Sequence, residues 1–151
     1  TSGDGTVSTG VVQIAPVAPG LFSANSDGQG VAAADVFRIR ANGQQVYESA
    51  SRFDTATGRA VAVPIDLGPE SDQVFLIAYG TGLRFRSSIA NSAVTVGGAN
   101  AELLFLGQQG VFVGLDQANI RLSRALIGKG DVEVKVTVDG KTANTVRINI
   151  K

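Results

Sequence analysis

The sequence predicts an all-β protein, a sandwich of about ten strands preceded by an extended N-terminal segment. Three observations carry this expectation. Glycine supplies 19 of 151 residues, so the stretches between glycines are short for helices and right for strands joined by tight turns. Apolar and polar residues alternate with a period of two in run after run, as in Asp131-Val132-Glu133-Val134-Lys135-Val136-Thr137-Val138. Turn dipeptides that favour two-residue hairpins fall between those runs: Asn42-Gly43, Gly97-Gly98 and Asp139-Gly140.

Taken in order, residues 1–10 are mostly small and polar, and Gly10-Val11-Val12-Gln13-Ile14-Ala15 then reads as a short strand. Pro16 and Pro19 close it and make an extended crossing segment, with Leu21 and Phe22 as its anchors in the core. Val36–Arg40 and Gln45–Tyr47 form a hairpin about Asn42-Gly43. Arg52-Phe53 and Ala60–Val63 flank a longer turn at residues 54–58. Gln73–Tyr79 is almost continuously apolar, the pattern of a central strand buried on both faces. Ser92–Val96 and Ala101–Leu106 pair across Gly97-Gly98, Ala118–Leu122 alternates again, and Asp131–Val138 returns through Asp139-Gly140 into Asn144–Ile150. Single helical turns are expected only near Gly30–Asp35 and Ser123–Ile127. Phe37, Phe53, Phe75, Phe105 and Phe112 lie in apolar runs and are assigned to the core.

Composition narrows the chemistry. The chain has no histidine, cysteine, methionine or tryptophan. That removes the imidazole base, the thiolate nucleophile and the usual zinc, haem and iron–sulfur ligands. It also means that burial rather than disulfides stabilises the fold. Thirteen basic and thirteen acidic residues cancel, against the basic stripe of a nucleic-acid binder. No apolar stretch approaches the about 18 residues that span a membrane, so membrane insertion is not expected. The zero hides an asymmetry: residues 1–75 carry eight acidic and four basic groups (−4), residues 76–151 five acidic and nine basic (+4). If the halves separate in space, this split favours head-to-tail association with another copy at low salt.

Two resemblances follow from particular residues. Tyr79-Gly80-Thr81-Gly82-Leu83 after a buried strand, Val94-Thr95-Val96-Gly97-Gly98-Ala99-Asn100-Ala101, the strand at Asn119–Leu122 and the closing hairpin ending Asn144-Thr145-Val146 make residues 73–150 resemble an IPT/TIG immunoglobulin-like domain. From about Ile14 onward the chain resembles the uncharacterised C-terminal domain of secreted acidobacterial (Solibacter-type) proteins. That resemblance rests on Ala18-Pro19-Gly20-Leu21-Phe22-Ser23-Ala24-Asn25, Gly28-Gln29-Gly30-Val31-Ala32-Ala33-Ala34, Val63-Pro64-Ile65-Asp66-Leu67-Gly68, Phe112-Val113-Gly114-Leu115-Asp116-Gln117 and Val138-Asp139-Gly140-Lys141-Thr142-Ala143-Asn144. It implies an extracellular, immunoglobulin-like β-sandwich without catalytic residues to carry over. The expected division is a 1–13 extension and a 14–151 body.

Candidate sites are few. Val7, Val11, Val12 and Ile14 form a candidate donor strand for the open sheet edge of another copy; the alternative is that this strand folds back onto its own sheet. Asn25-Ser26-Asp27-Gly28-Gln29-Gly30 has oxygen ligands and glycines in the manner of a calcium loop, with Asn25 and Asp27 as candidates, but no closing bidentate Glu. Asx-turn chemistry explains the same residues without an ion, and no other cofactor is expected. Asp66, Glu70 and Asp72 read as a solvated acidic loop, and Arg84, Arg86 and Ser87-Ser88 as a small basic one. Tyr47 and Tyr79 are candidate sugar platforms. The leading expectation is a non-catalytic extracellular or cell-surface structural module that assembles into a fibre or filament. A polysaccharide-binding or adhesion module is the alternative, and an enzyme built on paired carboxylates comes last.

Overall fold

Strand pairing begins at Gly20 and runs to the penultimate residue of the chain. The computed structural model describes residues 3–151. Twelve strands follow in order: β1 (Gly20–Leu21), β2 (Ala34–Ile39), β3 (Gln45–Ser49), β4 (Ser51–Asp54), β5 (Arg59–Ala62), β6 (Gln73–Thr81), β7 (Ser92–Val96), β8 (Ala99–Gln108), β9 (Asp116–Arg121), β10 (Gly130–Val138), β11 (Lys141–Thr142) and β12 (Val146–Ile150). β4 and β5 form a small hairpin of their own, and the other ten strands make one antiparallel sheet folded into two layers.

β8 is the strand that joins the layers. Its first residues, Ala99–Ala101, pair with β7, and Glu102–Gln108 pair with β9. The front layer therefore runs β8–β9–β6–β2–β3, with β1 beside the end of β6. The back layer runs β8–β7–β10, with β11 and β12 along the far side of β10. A register shift between Leu103 and Phe105 leaves Leu104 as the extra residue of a β-bulge, and bulges bend a strand and raise its local twist.

The core between the layers is aliphatic. Val36, Leu76 and Ile120 face Val94, Val96, Val134, Val136, Val146 and Ile148 in one buried cluster. At Asp139-Gly140 both residues have positive φ, 48° and 77°, as a type I′ turn requires. Beyond it the hairpin departs from expectation. Only Lys141–Thr142 pair at once, and the return strand resumes at Val146. The step from Thr137↔Thr142 to Val134↔Val146 inserts one residue, which frees Asn144 for other partners.

Three further expectations are corrected. Gly30–Asp35 is not helical: Val31 and Ala32 make single bridges and β2 starts at Ala34. A 3₁₀ turn appears instead at Ile89–Asn91, in addition to the expected one at Arg124–Leu126. The phenylalanines do not fill the core. Phe75 is buried, but Phe53 and Phe112 are about two-thirds exposed and Phe105 and Phe22 about two-fifths. For Phe37 and Phe75 the reason is register: they pair with each other, while Val36 pairs with Leu76 and takes the inner face; Phe53 lies on the separate β4–β5 hairpin and Phe112 in the loop after β8.

Candidate functional site

The N-terminal segment leaves the body at a defined point. Leu21 N–H donates to Asn144 Oδ1 at 2.8 Å, and Asn144 Nδ2 donates to Leu21 O at 2.9 Å and Gly28 O at 2.7 Å. Upstream, Val17 is buried and its carbonyl accepts from Lys141 Nζ at 2.9 Å. Gly82 has φ +71°, and a Cβ there would overlap the Ala18 carbonyl. The chain is thus clamped from Val17 to Leu21 between the end of β6 and the β10–β11 turn.

Before that clamp the large aliphatic side chains are exposed. Val7, Val11, Val12 and Ile14 are 66%, 96%, 85% and 92% exposed. Among the described residues, the strand expected at Gly10–Ala15 does not form: none of these residues is in a strand or bridge. An extended apolar segment without a ladder leaves its side chains in water.

Tyr47 and Tyr79 come together on one surface, the outer face of the front layer. Directly paired residues share a face, and the registers place Tyr47, Phe37, Phe75 and Arg121 in one row across four strands. The rings of Tyr47 and Phe37 lie 4.7 Å apart, those of Phe37 and Phe75 6.1 Å apart, and Arg121 sits 5.9 Å above Phe75. Asn119 lies in the adjacent row and accepts from Gln117 Nε2 at 2.9 Å. Tyr79 donates its hydroxyl to Asp35 at 2.8 Å. Burial and that carboxylate push the phenol up to about 12, because both disfavour a second negative charge.

The proposed calcium loop spends its oxygens on protein donors. Asn25 exchanges two hydrogen bonds with the backbone of Ala60, at 2.9 and 2.8 Å. Asp27 accepts from Ser23 Oγ, Gln29 N–H and Arg59 Nη2, which holds its carboxyl below the usual range, the Ser23 hydroxyl contributing most. Among the described residues, no three Asp or Glu side chains gather into a metal-holding group. The acidic loop is also engaged: Asp72 pairs with the buried Arg38 at 3.4 Å, and Asp66 with Lys151 at 3.3 Å. In the basic loop Arg84 Nε lies 2.6 Å from the fully buried Asp116, and Ser87 donates twice to Asp139.

Sequence reasoning did not single out Asn144, Lys141 or Gly82 as residues that fix the exit of the N-terminal segment, nor Asp116 as the buried acceptor for Leu83 and Arg84. The available signal was indirect, since all four lie in stretches that carry the resemblances described above. No protein-family model, curated protein or solved structure matches this chain.

Proposed function

We propose that this protein is a non-catalytic, extracellular, immunoglobulin-like structural module that assembles with copies of itself through strand addition by its N-terminal segment. The observation that carries the reading is the contrast at Val17. From there onward the chain is clamped by hydrogen bonds and burial, and before it four large aliphatic side chains stand in solvent. Such a segment joins a sheet edge by backbone hydrogen bonds, with alternate side chains giving specificity. The extracellular assignment rests on the resemblance to secreted domains and on a chain free of cysteine and methionine. The non-catalytic reading is supported by the carboxylates in view, since Asp72, Glu102 and Asp116 are each tied to an arginine.

Light scattering on the full chain and on a chain lacking residues 1–13 tests this. Loss of large species with retention of a folded β monomer is the expected result, and an unchanged assembly state sinks the reading. A second reading, polysaccharide binding or adhesion, is favoured by Tyr47 and Tyr79 sharing one face with Phe37, Phe75, Gln117 and Asn119. Its test is a glycan array with Tyr47→Ala beside the parent: hits lost in the variant support it, and a parent without hits removes it.

A further inference from the structure

The assembly reading leaves open which edge accepts the segment and whether the product closes or propagates, and the positions of the strands answer both. Of the long edges of the main sheet, that of β12 is already occupied. Ala32 N–H and Ile65 N–H donate to Arg147 O and Asn149 O at 2.9 Å, while Arg147 and Lys151 N–H donate back to Gly30 and Ile65. Two edges carry no second strand among the described residues, β3 and the part of β8 beyond Ala101, with the 3₁₀ turn Ile89–Asn91 beside β8. The β3 edge is polar and carries Glu48, paired with Arg38 at 3.2 Å. The β8 edge is Leu103-Leu104-Phe105-Leu106-Gly107-Gln108, and the chain stays free of charge as far as Leu115. Edges are normally protected by charge, proline, a bulge or a cover; this one has no charged residue or proline of its own, and its bulge at Leu104 leaves Phe105–Gln108 regularly paired with β9.

Apart from Arg86, the surroundings of β8 match an apolar, uncharged strand. Leu104 and Phe105 are exposed on it, and Phe85, Val111, Phe112 and Val113 are exposed near its Gln108 end. Arg86 lies against Gly107, and its buried Nε lacks a hydrogen-bond partner among the described residues. The candidate donor, residues 5–16, likewise has no charged residue.

Polarity then decides the assembly. The donor continues directly into Val17 and Ala18, which are clamped at the Gly82 end of the sandwich. The same end holds Gln108, because Gly80 pairs with Asp116 and Asp116 with Gln108. A donor running antiparallel to β8 sets Val11 near Gln108 and Ile14 near Leu104. Its own body then lies beyond the opposite end of the acceptor. Each copy's Gly82 end meets the far end of the next, a heterologous contact that does not close. A parallel donor brings two Gly82 ends together and permits a closed two-fold dimer. The ten pairings between named strands are antiparallel, although the single bridges of Val31 and Ile65 to β12 are parallel, and antiparallel pairing is the more stable per residue.

Resting on the strand-addition reading, we propose that residues Val11–Ile14 of one copy add antiparallel to the Leu104–Gln108 edge of β8 in a second copy, so that the chain forms an open head-to-tail filament. The cysteine-free sequence allows a direct test by oxidative cross-linking between separately tagged single-cysteine full-length chains, mixed in pairs. Val11→Cys with Gln108→Cys and Ile14→Cys with Leu104→Cys are expected to give mixed disulfides together with filaments by electron microscopy. Swapped partners, Ile14→Cys with Gln108→Cys, linking instead in particles of dimer size would overturn the polarity. Linkage of Val11→Cys to Gln45→Cys on β3 and not to Gln108→Cys would overturn the choice of edge. No mixed disulfide in a parent chain that still assembles overturns this inference alone. A parent that stays monomeric overturns the assembly reading beneath it as well.

Discussion

Leu21 and Asn144, 123 residues apart, are joined by a reciprocal pair of hydrogen bonds in which the Asn144 amide plays the part of a neighbouring strand. The pair ties β1 to the turn region after β10–β11 and marks where the body begins. Its existence depends on the one-residue insertion between β11 and β12 that turns Asn144 away from the ladder.

Asn144→Ala removes the partner of both Leu21 backbone groups and of the Gly28 carbonyl. Leaving such groups unpaired costs about 1–3 kcal/mol each when buried, and these are only part-buried. The expected loss is about 2–3 kcal/mol in total, seen as a lower urea midpoint at unchanged slope.

Asp116 is the one fully buried carboxylate among the described residues, and it accepts from Leu83 N–H, Arg84 N–H and Arg84 Nε. Asp116→Ala strands all three donors at once. Removing one member of a buried ion pair costs about 3–5 kcal/mol, and the low end applies because Arg84 is 22% exposed. Asp116→Asn retains an acceptor and is expected to lose about half as much; chemical denaturation of both variants measures the difference.

Gly82→Ala places a methyl on a residue with φ +71° and against the Ala18 carbonyl. Left-handed backbone alone costs a residue other than glycine about 1–2 kcal/mol. The overlap adds displacement of the Val17–Ala18 clamp. The variant is expected to melt lower and, because the donor segment loses its fixed point of exit, to assemble more slowly by light scattering than a stability-matched control.

Stability is expected to fall in acid through identifiable carboxyls. Asp27 and Asp139 are both held below 3.8, chiefly by the hydroxyls of Ser23 and Ser87. The unfolded chain therefore takes up protons first. The stabilisation is complete above about pH 4 and is lost as pH falls through the lower, folded values. A Ser23→Ala/Ser87→Ala double variant is expected to show a shallower decline of thermal midpoint in that window than the parent. Equal slopes would show that other carboxyls control the acid transition.

Local pattern was enough to write most of the strands. Alternation in Asp131–Val138 and the positive-φ turn at Asp139-Gly140 depend on residues adjacent in the chain, so they are legible without a partner strand. The same holds for Gln73–Tyr79, whose apolar run anticipates a strand buried on both faces. A period of two nevertheless says only that a strand has two faces. Which one is inside depends on register with neighbours, and the pairing of Val36 with Leu76 rather than of Phe37 with a core position was invisible locally.

For the candidate site the division is sharper. By itself the sequence determined an uncharged aliphatic segment at Val7–Ile14, a chain without histidine or cysteine, and strands rich enough in alternation to make a sandwich. Only the tertiary structure decided that the side chains of this segment stand exposed, that β12 is covered while β8 has no second strand beyond Ala101, and that Gly82 and Gln108 share one end. Those facts arise from pairings between residues tens of positions apart. Edges and ends belong to an assembled sheet, and no single stretch of chain contains them.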